Sequence, residues 1–312
     1  MPKIHVLELK SENLQGSYNK DYQPILTIQS GDSVQLSTPD IGWGYSPKDG
    51  ERIRYSSREN ELKWGHPMIG PIQVEEAKPG MVVEIKINDI VPGWYGWNCA
   101  AGKSSWTNDR LDLSHLPEVT LDWELDGEKN IGLTSVGGKS ISIELHPFLG
   151  LIGTTPNEEG VQSTIPPRYT GGNIDCKELV KGSSLFLPIA VEGALLTVGD
   201  GHASQGDGEV SGQGIECPMD FVDLTLTLHK EMTLAAPRAK TPSGWITFGF
   251  DEDLNKATIM ALEGMIQLIQ EQYGVEKAEA TAMASVVVDL RITQIVNGTK
   301  GVHAVLPHGA IR

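Results

Sequence analysis

The sequence predicts a mainly β protein, a sandwich- or barrel-like β-rich body with an α+β portion at its C-terminal end. Apolar residues mostly recur with period two, Gly and Pro punctuate the chain, and helical spacing emerges only after Asp251. No helices alternate with the strands, which argues against a doubly wound parallel sheet. The 312 residues include 39% hydrophobic side chains and 35 glycines, enough for a packed core. That length exceeds a typical domain of about 100–150 residues.

The elements follow from the pattern in chain order. Leu26 and Ile28 alternate with Thr27 and Gln29, Ser30-Gly31-Asp32-Ser33 intervenes, and Val34 and Leu36 alternate with Gln35 and Ser37; residues 24–38 therefore read as a hairpin. Val74 leads through Lys78-Pro79-Gly80 into Val83, Ile85 and Ile87, which point one way while Glu84, Lys86 and Asn88 point the other. Further strands are expected at 141–145, 185–191, 195–198, 222–228 and 246–250. A strand, a glycine turn and a second strand recur around Gly31, Gly80 and Gly182 as a weak internal echo. Asp251 or Asp253 can cap a helix in which Leu254, Ala257, Ala261, Met265 and Leu268 recur at three- or four-residue steps, ending at Gly274. A short helix over 276–284 then runs into a β-branched strand over 286–295. Pro237 to Pro242 reads as a linker between a β-rich body, residues 1–236, and an α+β portion, residues 243–312, packed on it.

Composition excludes several function classes. Twenty-five basic against 41 acidic residues leave a net charge of −16, the wrong sign for a nucleic-acid partner. Three scattered cysteines form neither a disulfide framework nor a metal knuckle, as in a reducing compartment. The first twenty residues lack an apolar signal core, and no stretch reaches the roughly 18 apolar residues of a membrane span. A cytoplasmic protein without a membrane partner is expected.

The densest group of metal-competent side chains lies between Glu192 and Glu216. Asp200 and His202 are two apart, so an extended chain projects both to one face, as ligands of a single cation require. They follow the apolar run Ala194 to Val198, which carries them to the rim of the core, where unpaired charge is costly. Asp207 and Glu209 share a face if that piece is extended, and a returning strand could bring Glu216 opposite Asp200. In a second loop, Pro166 to Asp175, two prolines stiffen the chain and two glycines let Asn173 and Asp175 face the same way. His66 and His146 each precede a proline and read as structural, and Trp94 and Trp97 read as core. Nucleophile elbow, HExxH and P-loop motifs are absent.

These two stretches, Pro166 to Asp175 and Gly199 to Glu216, resemble the acetamidase/formamidase family, whose members carry a Pro-Pro, Gly-Gly-Asn-x-Asp loop and a Gly-Asp-x-His-Ala-x-Gln-Gly-Asp-Gly-Glu segment ending in Ile-Glu. Gly70-Pro71-Ile72, Gly150-Leu151-Ile152-Gly153 and Asp289 to Asn297 support the resemblance, which runs from about residue 60 to the C-terminal end. It implies hydrolysis of short aliphatic amides to carboxylate and ammonia, a β-rich fold with an α/β portion, homo-oligomers and a divalent-metal site.

An unactivated amide needs an activated water, a stabiliser for the oxyanion and a proton donor for nitrogen. With no Ser or Cys device visible, a metal-bound hydroxide is the economical source of the first. Asp175, Asp200, His202 and Glu216 are assigned to metal binding, with Glu192 a further candidate ligand. Glu209, expected on a mobile tip, is assigned to proton transfer, and the amides of Asn173 and Gln205 to substrate binding. One histidine among carboxylates admits Zn²⁺ or Ca²⁺, and two ions would account for the number of oxygens. Two rivals stand beside this reading: a non-catalytic β-sandwich ligand-binding protein with a structural calcium site, and a thiol nucleophile at Cys176.

Overall fold

The computed structural model describes residues 2–59 and 65–312. A nine-stranded sheet runs in the order Ile4–Leu7, Ser33–Thr38, Met219–His229, Val82–Pro92, Ser184–Pro188, Arg238–Lys240, Gly244–Asp251, Lys300–Pro307, Asp289–Gln294. A six-stranded sheet contains Gly171–Asn173, Phe148–Thr154, Leu196–His202, Met68–Val74 and Leu14–Gln15, with Leu26–Ile28 also beside Met68–Val74. One core joins them: Val34, Ile85, Ile87, Leu224 and Leu226 from the first sheet pack with Ile69, Ile72, Leu149, Ile152, Leu196 and Val198 from the second. A four-stranded sheet of Tyr95–Ala100, Val119–Asp126, Ile131–Val136 and Lys139–Glu144 stands beside this body. The mainly β architecture predicted from period-two patterning is the one observed.

The expected hairpin over 24–38 does not form. Leu26–Ile28 pairs in parallel with Met68–Val74 in one sheet, whereas Ser33–Thr38 pairs with Ile4–Leu7 and Met219–His229 in the other. The intervening turn crosses between sheets, and the same crossing explains the internal echo. Gly31, Gly80 and Gly182 adopt φ of +93°, +91° and +91°. Each is the third residue of a turn closed by a backbone bond, Asp32 to Gln29, Met81 to Lys78 and Ser183 to Val180, and the positive φ there is that of a type II turn, which favours glycine at this position. Each glycine N–H also donates to a neighbouring chain, at Leu226, Ile189 and Ile87 respectively. Period-two patterning specifies two strands and a turn but not which sheet each strand joins.

The C-terminal helices form close to where they were expected. Asp253 caps Leu254–Tyr273 by accepting from the N–H groups of Asn255 and Lys256, and Gly274 ends it. Lys277–Val287 starts with a capping box between Glu276 and Glu279 and runs past Ala284, so the following strand begins at Asp289 rather than 286. Ala257, Ala261, Met265, Leu268, Ala280 and Ala284 pack on Val302, Ala304 and Leu306 of the nine-stranded sheet in a second core. Residues 237–242 are not a linker: Arg238–Lys240 is a strand bonded to Ser184–Phe186 on one side and Trp245–Thr247 on the other. The chain therefore passes from body to C-terminal portion inside a continuous sheet. Among the described residues no helix is long and apolar enough to cross a membrane.

The long helix rests directly on the sheet at Gly249, where an added Cβ would lie 2.0 Å from the Ala257 carbonyl oxygen and 2.6 Å from the Ala261 nitrogen. Gly249→Ala should therefore force the helix off the strand and cost about 1–3 kcal/mol or more. A urea midpoint equal to that of the parent chain would contradict this contact.

Candidate active site

The strand Leu196–His202 continues beyond its apolar run and carries Asp200 and His202 into the interior, 3% and 1% exposed. Asp175 follows the short strand Gly171–Asn173, which pairs with Leu151–Gly153. Glu216 is brought in by backbone bridges to His202 and to Trp97. Glu209 sits in a loop pinned to the C-terminal sheet, where the Gly208 N–H donates to the Thr293 carbonyl and the Ile295 N–H to that of Gly208. Asp175, Asp200 and His202 offer ligand atoms within 4.8 Å of one another, and so do His202, Glu209 and Glu216. His202 is common to both sets.

Three of the carboxylate residues occupy left-handed backbone, with φ of 54° at Asp175, 59° at Asp200 and 48° at Glu209. Such conformations cost about 1–3 kcal/mol each and persist only where the surroundings impose them. A Cβ at Gly150 would meet Asp175 Oδ1 and Asp200 Oδ2, each at 2.7 Å, so this glycine keeps the space between the two carboxylates clear.

Hydrogen bonds orient the set. Gln205 Nε2 donates to the Asp175 carbonyl at 2.9 Å, which turns its Oε1 toward His202 Nδ1, also at 2.9 Å. Nδ1 must then carry the hydrogen, and Nε2 faces the carboxylates, 3.2 Å from Glu216 Oε1 and 3.6 Å from Asp200 Oδ1. Phe148 buttresses the ring edge-on at 5.2 Å. Asn297 Nδ2 donates to Asp175 Oδ2 at 2.9 Å. After these bonds four buried atoms still lack a partner: Asp175 Oδ1, His202 Nε2, Glu209 Oε2 and Glu216 Oε2. Buried polar atoms are seldom left so. Each of the two triads that share His202, two carboxylates and an imidazole nitrogen, is a donor set that could hold a divalent cation.

Burial and mutual repulsion set the protonation states. Burial, then the Asp200 charge, pushes Asp175 up to about 8. Burial raises Glu216 to about 7 against the opposing pull of His202. Burial, then Asp175, raises Glu209 well above the usual range. Asp200 goes the other way: burial works against it, but the His202 charge beside it outweighs burial and holds it down at about 2. Burial works against the charged form of His202 too, and Glu216 and Asp200 outweigh it and raise its pKa.

The structure does not bring all the sequence candidates together. Glu192 is exposed on the turn before Leu196–His202, at the other end of the strand from Asp200, where water solvates its carboxylate. Asp207 and Glu209 do not share a face. The turn at Gly208, φ +93°, sends Asp207 outward to Lys177 at 3.1 Å and Glu209 inward to 5% exposure, so Glu209 is not on an exposed tip. Gln205 bonds inside the site through Oε1 and one N–H of Nε2, which gives it an orienting part. Asn173 is buried, its Nδ2 committed to the Ile165 carbonyl and its Oδ1 unpartnered. Trp94 and Trp97 are half-buried rather than core; with Tyr95 and Trp123 they line an open cleft. A second cleft of about 330 Å³ is lined by Trp123, Gln205, Gln213 and Gly214.

Sequence reasoning missed two residues. His66 is held by Thr164 Oγ1 at 2.7 Å on Nδ1, and its Nε2 faces Asp200 Oδ2 at 4.0 Å. Burial lowers its pKa, which keeps it neutral. Asn297 lies in the C-terminal portion, more than a hundred residues from its partner Asp175, and only the following proline distinguishes His66 from any other surface-turn histidine.

Fold and site together define a β-sandwich protein with a buried centre of carboxylates and one imidazole. The profile of the Acetamidase/Formamidase family matches residues 5–164 and 157–309, and the chain belongs to that family. It superimposes on the crystal structure of an acetamidase from Bacillus halodurans with a TM-score of 0.82 and 30% identity, over 96% of this chain and 97% of that one. It is 28% identical over 229 residues to an acetamidase of Mycolicibacterium smegmatis, covering 55% of this chain and 56% of that protein. It is 25% identical over 265 residues to a formamidase of Methylophilus methylotrophus, covering 69% and 63%. The matched region thus spans less than two thirds of either relative.

The carboxylates fix a pH dependence. Asp175 and Glu216 keep a proton in the folded protein up to about 8 and about 7, whereas their ordinary values are 3.8 and 4.5. The folded state binds more protons between these limits, so its stability falls as pH rises, and the raised His202 adds to that fall. Cation-free protein should melt lower at pH 8 than at pH 5, and a divalent cation should raise Tm more at pH 8, where its ligands are deprotonated. A melting temperature that climbs from pH 5 to pH 8 under chelation would count against the buried cluster.

Proposed function

We propose that this protein hydrolyses short linear amides, formamide and acetamide the nearest cases, to carboxylate and ammonia, using a divalent cation held by Asp175, Asp200, His202 and Glu216. The observation that carries this reading is the convergence of Asp175, Asp200 and His202 within 4.8 Å, with Glu216 beside His202 Nε2, in which Asp175 Oδ1, His202 Nε2 and Glu216 Oε2 are buried without a partner. When bound, the cation would supply Lewis acidity and a more acidic water at neutral pH. The donor set suits zinc or calcium, and its two overlapping groups have room for one ion or two. His202 in the set favours catalysis over a purely structural calcium site, whose ligands are oxygens.

The rest of the reaction falls to the side chains. Gln205 holds His202 with Nε2 inward, and Asn297 holds Asp175. Glu209, kept protonated by burial, can deliver a proton from its free Oε2 to the departing amide nitrogen and recover one from the attacking water. The neutral His66 facing Asp200 is placed to orient that carboxylate. The thiol of Cys176 is buried and pushed well up in pKa, by burial and then by Glu178, which argues against a nucleophilic role. Homo-oligomerisation and a cytoplasmic location are part of the same proposal, and light scattering of the purified protein checks the first.

Metal analysis alongside ammonia release from a panel of amides tests the reading. Chelation should abolish turnover and Zn²⁺ or Ca²⁺ should restore it; full activity in metal-free protein would remove the cation from the mechanism. Glu209→Gln should lower turnover by about 10² to 10⁴ with metal content retained. Loss of metal together with rate would make Glu209 a ligand instead. Glu192→Ala should change neither.

A further inference from the structure

Next to Asp175 the chain turns a different set of side chains toward the C-terminal sheet. Cys176 and His303 are fully buried, and the Glu178 side chain is only 12% exposed. The Cys176 Sγ lies 3.2 Å from Glu178 Oε2, and His303 Nε2 lies 3.6 Å from the same oxygen. All three ligand atoms fall within 4.8 Å of one another. Nitrogen, oxygen and sulfur ligands at about 2.0–2.3 Å from a tetrahedral ion stand about 3.3–3.8 Å apart, close to the 3.2 and 3.6 Å that separate the Glu178 oxygen from the other two.

The surroundings hold each group as a ligand would be held. Thr293 Oγ1 is 2.8 Å from His303 Nδ1, which satisfies that nitrogen and leaves Nε2 aimed at Cys176 and Glu178. Nε2 has no hydrogen bond although the residue is fully buried, because 3.6 Å is too long for one. Arg291, directly opposite His303 in the sheet, binds Glu178 through Oε1 at 3.1 Å and leaves Oε2 to the group. A thiolate, an imidazole and a carboxylate on a compact triangle match a borderline-soft divalent cation, unlike the oxygen-rich set around His202.

We propose that Cys176, Glu178 and His303 bind a zinc ion that fastens the segment between Asn173 and Ser184 to the C-terminal strands, with water in the fourth position. The bound ion would tie the chain next to Asp175 to the sheet that also supplies Asn297. This site does not depend on the amidase reading and stands or falls separately.

Cobalt(II) titration of metal-stripped protein tests it, because only a thiolate ligand produces a sulfur-to-cobalt charge-transfer band and the His202 set contains no sulfur. The band should grow to about one cobalt per chain, and zinc should displace it. It should vanish in Cys176→Ser while cobalt still binds the sulfur-free set. Glu178→Gln, which keeps the size and the hydrogen-bonding shape, should weaken the band's titration at least about tenfold, and it serves if the serine variant does not fold. No charge-transfer band in the parent protein, or a band unchanged in either variant, would overturn the proposal whatever the activity toward amides. Zinc should also raise the melting temperature of the parent protein more than that of Cys176→Ser.

Discussion

Asp175, Asp200, Glu209 and Glu216 repel one another in a region that water barely reaches, each at most 5% exposed. At separations of about 4–5 Å two like charges cost about 3–4 kcal/mol even at an effective dielectric of 20. One imidazole cannot offset four carboxylates, so most of the group is driven toward the protonated form and only Asp200, held down by His202, stays readily ionised. A divalent cation would remove the conflict, because the oxygens then face opposite charge instead of each other. Much of the architecture serves to hold these residues where they would not otherwise gather.

The means of holding them is distributed over the chain. Left-handed backbone at three carboxylate residues is imposed by the sheet pairings and loop bridges around them. Gly150 leaves space that a side chain would fill, Gln205 selects the His202 tautomer, and Asn297 anchors Asp175 from the opposite end of the sequence. The C-terminal portion is therefore not an appendage to a finished site. It extends the nine-stranded sheet, pins the loop that bears Glu209, and brings Arg291 and His303 against Glu178.

Family membership and site geometry bear on different questions. The profile match and the superposition on the Bacillus halodurans acetamidase establish the fold and the lineage. They leave the choice among short amides to pocket contacts, since one fold supports many substrates. The Cys176, Glu178 and His303 group illustrates the difference: it is argued from distances and unsatisfied atoms in this chain alone.

Local pattern determined what local physics controls. Period-two alternation announced a β protein, the Asp253 cap and three- or four-residue spacing announced the long helix, and Asp200, His202 and Glu216 stood out because carboxylates after an apolar strand end need partners. Tertiary structure decided what pairing and burial control. Leu26–Ile28 and Ser33–Thr38 look like a hairpin because their alternation is the same whichever sheet each joins, and only long-range hydrogen bonds assign them to different ones. Glu192 and Glu209 are chemically alike and both flank glycines, yet a turn leaves one in water and backbone bridges carry the other into the core. His66, Asn297 and His303 were silent in the sequence for the same reason: a side chain's role is set by what lies across the fold from it, and residues a hundred positions apart leave no mark of that in their neighbours.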